Sequence, residues 1–250
     1  MLAREKIRLF VDAPLGEGKR VALTKAQAHY LFGVMRLTEG ARLALFNGVD
    51  GEWSAEVAEA RKRAGTLACL GQAAPQLGPP DLWLMFAPIK KARTDFIVEK
   101  AAEMGAARIL PVLTEFTNAE RVKVDRLQAH AVEAAEQCGG TFVPPVAAPQ
   151  KLAALLDGWP EERRILFADE ALAEGSSRHP PLFASADGTN NRDAPWAILI
   201  GPEGGFSPAE RQRLRALDSA RPVRLGPRIL RADTAAVAAL TLWQSTLGDW

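Results

Sequence analysis

The chain is poor in the residues that build covalent or metal-centred chemistry. It has two cysteines, Cys69 and Cys138, in 250 residues. They show neither a disulfide framework nor a zinc spacing, so a reducing cytoplasm is the expected compartment. The three histidines, His29, His130 and His179, are scattered, and no metal site is visible. Long apolar runs are missing too. None approaches the roughly 18–20 residues that span a bilayer, so no membrane partner is expected. The opening MLAREKIRLFVD alternates charge with hydrophobe, which is not the pattern of a signal peptide. Nor is one charge in excess. Lys and Arg number 31 against 30 Asp and Glu, which argues against coating nucleic acid by bulk electrostatics. Residues 1–75 hold 11 basic against 8 acidic side chains, an asymmetry too mild to point to RNA.

What is present is a core-forming composition, 48% hydrophobic and 24% charged, over a length that holds one large domain or two modest ones. The segment QAAPQLGPPD, residues 72–81, reads as a linker because proline and glycine end regular structure on both sides. Before it come five short strand-like runs, IRLFV, RVALT, RLALF, EWSAEV and GTLACL. The turn NGVDG between RLALF and EWSAEV predicts a hairpin. A helix, KAQAHYLFGVMR, interrupts them with Thr24 as its N-cap. Five strands and a helix predict a small β-barrel. Beyond the linker the rhythm changes. LWLMFAP, ARILPVLT, RRILFADE, WAILIG and PVRLG are continuous apolar strands. Helices RTDFIVEKAAEMG, VDRLQAHAVEAAEQCGG and DTAAVAALTLWQSTLG lie among them, with Gly105 stopping the first and Phe96 and Met104 reading as core. This alternation predicts an α/β domain with a mostly parallel sheet. Residues 174–194 read as an exposed loop excursion.

Two turns carry the chemistry. ILIGPEGGFSPAE, residues 198–210, lacks the Gly-Lys-Ser/Thr ending of a phosphate-binding loop and has the wrong glycine spacing for a dinucleotide fingerprint. Its helix start is well specified: Ser207 as cap, Pro208 at the first position, Glu210 completing a capping box. On this stretch alone, a plain strand–turn–helix joint stays open. LGPRILRADTAA, residues 225–236, repeats the pattern of an apolar strand, Gly-Pro and then a helix. Two parallel strands ending this way put two small-residue loops beyond the same sheet edge, where open α/β sheets bind ligands. Neither loop has a lysine for a polyphosphate, so an uncharged ring such as adenine fits better.

At these two loops the sequence resembles the RsmE-type methyltransferases, which modify uridine N3 in small-subunit ribosomal RNA, within the knotted SPOUT superfamily. Weaker matches are RLFV (8–11), HYLFGVMR (29–36), IKKARTDFIVEKAAEMGAARILPV (89–112) and EAAEQCGG (133–140). The resemblance implies a PUA-like RNA-binding β-barrel over residues 1–73, a linker at about 74–79, and a SPOUT domain with a deep trefoil knot over 80–250. It implies a cytoplasmic homodimer that uses S-adenosyl-L-methionine to methylate a uridine of 16S ribosomal RNA, free or in the small ribosomal subunit. Two alternatives stand beside it: a SPOUT enzyme acting on a different RNA, and a catalytically inactive knotted RNA-binding or assembly protein.

By the same resemblance, Leu199, Ile200, Gly201, Pro202, Glu203, Gly204, Gly205, Leu225, Gly226, Ile229, Leu230 and Thr234 would hold the cofactor. Arg231, Glu203 and Arg8 are the candidates for catalysis. Arg231 has the plainer reading of a helix-start cation, and Glu203 that of a solvated turn carboxylate. Arg8, Arg36, Lys90, Lys91 and Arg121 are the candidates for RNA contact. Glu99 and Lys100 read as helix-surface ion-pair residues. The chain departs from the family pattern in several places. RADT at 231–234 stands where RTET is common, and Gly140 stands where an arginine is usual. Basic residues typical near Phe142 and Phe116 are missing, with Arg121 the nearest replacement for the latter.

Overall fold

The computed structural model describes residues 5–118, 121–174 and 194–250; the 174–194 excursion falls almost entirely outside them. The chain forms two units. One comprises residues 5–78 with 135–143, and the other 79–134 with 144–250.

The first unit is a five-stranded mixed sheet, made by β1 (Arg8–Phe10), β2 (Arg20–Ala22), β3 (Arg42–Phe46), β4 (Glu52–Arg61) and β5 (Ala64–Ala74). Its order is β1-β3-β4-β5-β2, with β1 parallel to β3 and the other pairs antiparallel. β5 runs to Ala74, into the stretch read as linker, because Gln72 and Ala74 still pair with Trp53 and Glu52. The β3–β4 turn is built by Asn47 and Asp50. Asn47 Oδ1 accepts from the Asp50 amide at 2.8 Å, and Asp50 Oδ2 accepts from the Leu15 amide at 2.8 Å and from Asn47 Nδ2 at 2.7 Å. The amide of Leu15, with Asn47 and then Lys19, holds the Asp50 carboxyl below its ordinary pKa. The helix predicted over 25–36 is regular only in α1 (Lys25–Ala28), where Thr24 and Gln27 form a capping box. Residues His29–Val34 open into a π-helical turn closed by Met35 N to Tyr30 O at 2.9 Å. That turn buries Leu31 completely against Leu43, Leu45 and Leu67.

The second unit is a six-stranded, all-parallel sheet. Its strands are β6 (Leu82–Phe86), β7 (Arg108–Leu113), β8 (Gln150–Lys151), β9 (Arg164–Ala168), β10 (Trp196–Ile200) and β11 (Ala220–Val223). The order β11-β9-β10-β6-β7-β8 makes β10 central, and all five of its residues are buried, as a strand covered on both faces requires. The helices are α2 (Lys91–Glu103), α3 (Val124–Cys138, whose end from Ala135 belongs to the first unit), α4 (Leu152–Asp157), α5 (Pro208–Arg215) and α6 (Ala232–Leu247). The sequence reading missed β8 and α4, which are too short to show a period. Phe96, read as core, is 38% exposed because Ile97, Val98, Ala101 and Ala102 supply the buried side of α2; Met104 is buried.

The amino ends of the central strands are tied by Arg163. Its guanidinium donates to Trp196 O at 3.0 Å and Asp81 Oδ2 at 2.9 Å, and lies 3.7 Å over the Trp83 ring. The carboxyl ends are left to the loops that carry chemistry.

Candidate active site

Three neighbouring strands, β9, β10 and β11, release their chains beyond the same edge of the sheet. The loops that follow enclose a cavity of about 330 Å³, within the ~300–1,000 Å³ usual for small-molecule sites. The loop after β10 contributes residues 200–203 and Gly205 to its wall. The loop after β11 contributes Arg224, Leu225, Gly226, Arg228, Ile229, Leu230 and Arg231, and α6 adds Ala232 and Ala235. The third wall, Ala168 at the end of β9 with Asp169 and Glu170 after it, was not foreseen.

The first loop is fixed by its sequel. Ser207 Oγ accepts from the Glu210 amide at 3.3 Å, and Glu210 Oε2 accepts from the Ser207 amide at 2.9 Å, with Pro208 at the start of α5. The other Glu210 oxygen accepts from the Glu115 amide at 2.9 Å, anchoring the cap to the chain after β7. Gly205 sits at φ +70°, and a Cβ there would fall onto the Glu170 carboxylate. Only glycine suits that place.

The cavity walls are cross-braced by charge. Arg93, in the first turn of α2, reaches Glu203 Oε1 at 2.6 Å and Asp233 Oδ2 at 3.6 Å, and so bridges the first Gly-Pro loop to the first turn of α6, which follows the second. Asp169, whose side chain is fully buried, accepts from Arg211 at 3.1 Å and Arg215 at 2.6 Å. Arg211 also pairs with Glu170. Arg224 donates from Nε to Gly226 O at 2.9 Å and holds the second turn closed.

Nine of the twelve residues expected at the cofactor line this cavity: Ile200, Gly201, Pro202, Glu203, Gly205, Leu225, Gly226, Ile229 and Leu230. The other three do not. Leu199 points into the core, Gly204 backs onto Phe116, and Thr234 is exposed on α6. Arg231 is exposed at the wall and is the N-cap residue of α6 without a side-chain cap bond. Arg8 lies in the first unit and is only 8% exposed. It pairs with Glu52 at 2.7 Å and donates to the carbonyls of Ala135, Glu136 and Gly140 at 2.6, 3.0 and 2.6 Å. Arg36 is exposed in the first unit, and Lys90, Lys91 and Arg121 are exposed in the second. Glu99 lies 2.8 Å from His130, and Lys100 pairs with Glu103 at 2.7 Å.

The missed residues left faint traces. Arg93 lies within the quoted 89–112 match, but only the fold shows that it meets Glu203, 110 positions away. Asp169 and Glu170 end an apolar strand with two carboxylates, a pattern that gains meaning once β9 is known to neighbour β10.

Comparison with known proteins gives this arrangement a class. A family model for the RNA methyltransferase domain matches residues 77–244, and one for the RNA methyltransferase PUA domain matches residues 23–67. The chain belongs to this RNA methyltransferase family. Curated relatives are more particular. Ribosomal RNA small subunit methyltransferase E of Rickettsia conorii is 28% identical over 93% of each chain. Its Synechocystis namesake is 32% identical over 88% of this chain and 71% of its own. The crystal structure of the Neisseria gonorrhoeae methyltransferase E bound to S-adenosyl methionine superposes with a TM-score of 0.82 at 27% identity, covering 98% of this chain and 99% of that one. A putative methyltransferase from Legionella pneumophila, in complex with the same cofactor, matches with the same score, identity and coverage.

Proposed function

We propose that the chain binds S-adenosyl-L-methionine in the cavity beyond β9, β10 and β11 and methylates N3 of a uridine in 16S ribosomal RNA. The observation that carries this reading is the convergence of both Gly-Pro turns on one cavity, in a chain of the RNA methyltransferase family. The residues present fit the cofactor. Gly226, where a Cβ would meet nothing within 4 Å, leaves the ligand's path open, Gly201 and Gly205 let their loop pack against Phe206 and Glu170, and Ile200, Leu225, Ile229 and Leu230 offer apolar contact to a flat ring. Bound there, the cofactor supplies a methyl group already activated on a sulfonium, so no nucleophilic side chain is required.

The residues have two tasks left. One is alignment, whose upper limit is about 7–11 kcal/mol for ideal positioning. The braces from Arg93 and Arg211 hold the loops still and serve this task. The other is ionisation of the uridine imide. Arg231 is assigned to stabilise the developing negative charge on a uridine carbonyl oxygen, and Glu203 to accept the N3 proton directly or through water. Lys90 and Lys91 are assigned to RNA phosphates. Cations at a helix N-terminus oppose its dipole, so their position at the start of α2 suits an anionic partner better than it suits the helix. Arg121 is assigned with them. Arg8 is assigned a supporting role, since its bonds hold β1 to the segment 135–143.

The same reading includes the trefoil knot, a cytoplasmic location and a homodimer. Among the described residues no helix is long and apolar enough to cross a membrane. Leu242 on α6 and Trp250 after it, 38% and 62% exposed, are apolar surface for a second copy to cover. Sedimentation at two protein concentrations tests this; a monomer throughout refutes the dimer.

A second reading, methylation of a different RNA, draws on Gly140, Phe142 and Phe116, where the family's usual basic residues are absent. Mapping N3-methyluridine in ribosomal RNA from a deletion strain separates the two. Loss of the mark supports the 16S assignment, and its retention moves the substrate elsewhere. Absence of S-adenosylmethionine binding in isothermal titration would defeat both.

A further inference from the structure

The cavity takes up the carboxyl ends of β9, β10 and β11, but the same edge of the parallel sheet continues through β6 and β7 on the other side of β10. The loop after β7 brings Phe116 to that edge. It is the most exposed phenylalanine among the described residues, at 44%, and methyl transfer as derived above gives it no task. It also stands close to where the family's usual basic residue is missing.

The turn that carries the ring is fixed. The Thr114 amide donates to Thr117 Oγ1 at 2.9 Å, the two hydroxyls lie 2.8 Å apart, and the Thr117 amide donates to Thr114 O at 3.2 Å. Between them the Glu115 amide is tied to Glu210, so the turn is anchored to the capping box that also fixes the first Gly-Pro loop. The root of the side chain rests on that loop. A Cβ added at Gly204 would lie 3.3 Å from Phe116 Cβ, 3.8 Å from Cγ and 3.9 Å from Cδ2. Among the described residues no other ring or cation is stacked on the phenyl group.

Its position suggests what covers it. Gly204 lies between Glu203 and Gly205, which both line the cavity, and Glu203 is the group assigned to the N3 proton. Lys90 and Lys91, assigned to phosphates, follow β6, the strand between β10 and β7. A uridine that is to meet the methyl must leave its stack in the RNA and loses its neighbours there. Unpaired bases are held in proteins by stacking on flat side chains, and a phenyl ring offers that face without a charge to draw a phosphate instead. We propose that Phe116 is a substrate-positioning residue whose ring stacks on the target uracil, turned out of the RNA, and holds it beside Glu203. The inference deepens the proposed methyltransferase function and rests on it.

The test turns on Phe116→Leu, which keeps a Cβ, Cγ and Cδ2 to pack on Gly204 and removes the flat face. With the full chain, S-adenosylmethionine and small subunits from a strain lacking the enzyme, this variant is expected to lower kcat/KM for the RNA about tenfold. Cofactor affinity by calorimetry and the urea midpoint are expected to stay as in the wild type, and Phe116→Tyr to retain most of kcat/KM. A second measurement compares short RNAs with the mapped uridine or an abasic ribose at that position. Phe116→Leu is expected to weaken binding of the first about tenfold and of the second less than about twofold. Wild-type catalysis and binding in Phe116→Leu would overturn the stacking role and leave the enzyme reading in place. A loss shared by Phe116→Tyr, or one accompanied by lost cofactor affinity, would make Phe116 a packing residue for Gly204 and overturn it too. Equal weakening with both RNAs would set the ring against another part of the RNA, again against the proposal. Absence of methyl transfer by the wild type would reject the enzyme reading itself, and the inference with it.

Discussion

Arg93 carries its guanidinium between Glu203 and Asp233, so one side chain links the first Gly-Pro loop to the start of α6, where the second loop ends. Asp233 stands where the family commonly has glutamate, and its shorter side chain still comes to 3.6 Å of Arg93. Both ion pairs are partly exposed, so their value is in placement more than in stability. Arg93→Lys keeps the charge but loses the planar fork. It is expected to lower kcat several-fold with a smaller change in cofactor affinity; equal losses in both would show that it supports the cavity as a whole. Arg231→Ala is expected to cut turnover more than cofactor binding, read by single-turnover kinetics beside calorimetry. The glycines separate more sharply. Gly205→Ala puts a Cβ onto Glu170 at an unfavourable φ and is expected to weaken cofactor binding at least about tenfold, at a stability cost of about 1–2 kcal/mol. Gly204→Ala meets only Phe116 Cβ at 3.3 Å and is expected to change affinity less than about threefold. Similar effects from the two would show that the loop does not line the cofactor site as the cavity suggests.

At the scale of elements, the joints are as informative as the strands. Ser207, Pro208 and Glu210 announce α5 in the sequence because a capping box is a local device, and the structure closes it as read. Thr24 and Gln27 do the same for α1, but the widening to a π-helical turn depends on Leu31 reaching the core, which no local pattern states. The third cavity wall was hidden for a related reason. The Asp169–Glu170 pair matters because β9 lies beside β10, and strand order is a property of the whole sheet. Two predictions belong here. Arg163→Ala removes the tie between the amino ends of β6 and β10 and its stacking on Trp83, and is expected to cost about 2 kcal/mol in urea unfolding without altering cofactor affinity. Asp50, with its pKa held below the ordinary 3.8, stabilises the β3–β4 turn fully above that value. The contribution fades as pH falls from about 3.8 through the lower folded value. Asp50→Asn is expected to flatten the stability–pH curve in that acid window; an unchanged acid limb would show that the turn does not depend on the carboxylate.

For the whole molecule, composition located the change from a mixed sheet to an all-parallel one, because continuous apolar strands are buried on both faces. It carried no sign that residues 135–143 rejoin the first unit, since that return depends on Arg8 meeting carbonyls more than a hundred positions away. Arg8 illustrates the limit of reading a residue by its type. Its place in the family match suggested catalysis or RNA contact, and its surroundings make it a buried brace. The two Gly-Pro loops that line the cavity were legible because small residues at strand ends have few other uses. The cations proposed for RNA contact were less so, because an exposed arginine looks the same in sequence whether it meets RNA or water.

The central claim is methyl transfer to uridine N3 in small-subunit ribosomal RNA. Its most direct test incubates the purified chain and isotopically labelled S-adenosylmethionine with small subunits from a strain lacking the enzyme, then digests the RNA to nucleosides for mass spectrometry. The expected result is labelled N3-methyluridine, lost with Gly205→Ala at limiting cofactor and reduced with Arg231→Ala. Cofactor binding without label in N3-methyluridine would contradict it.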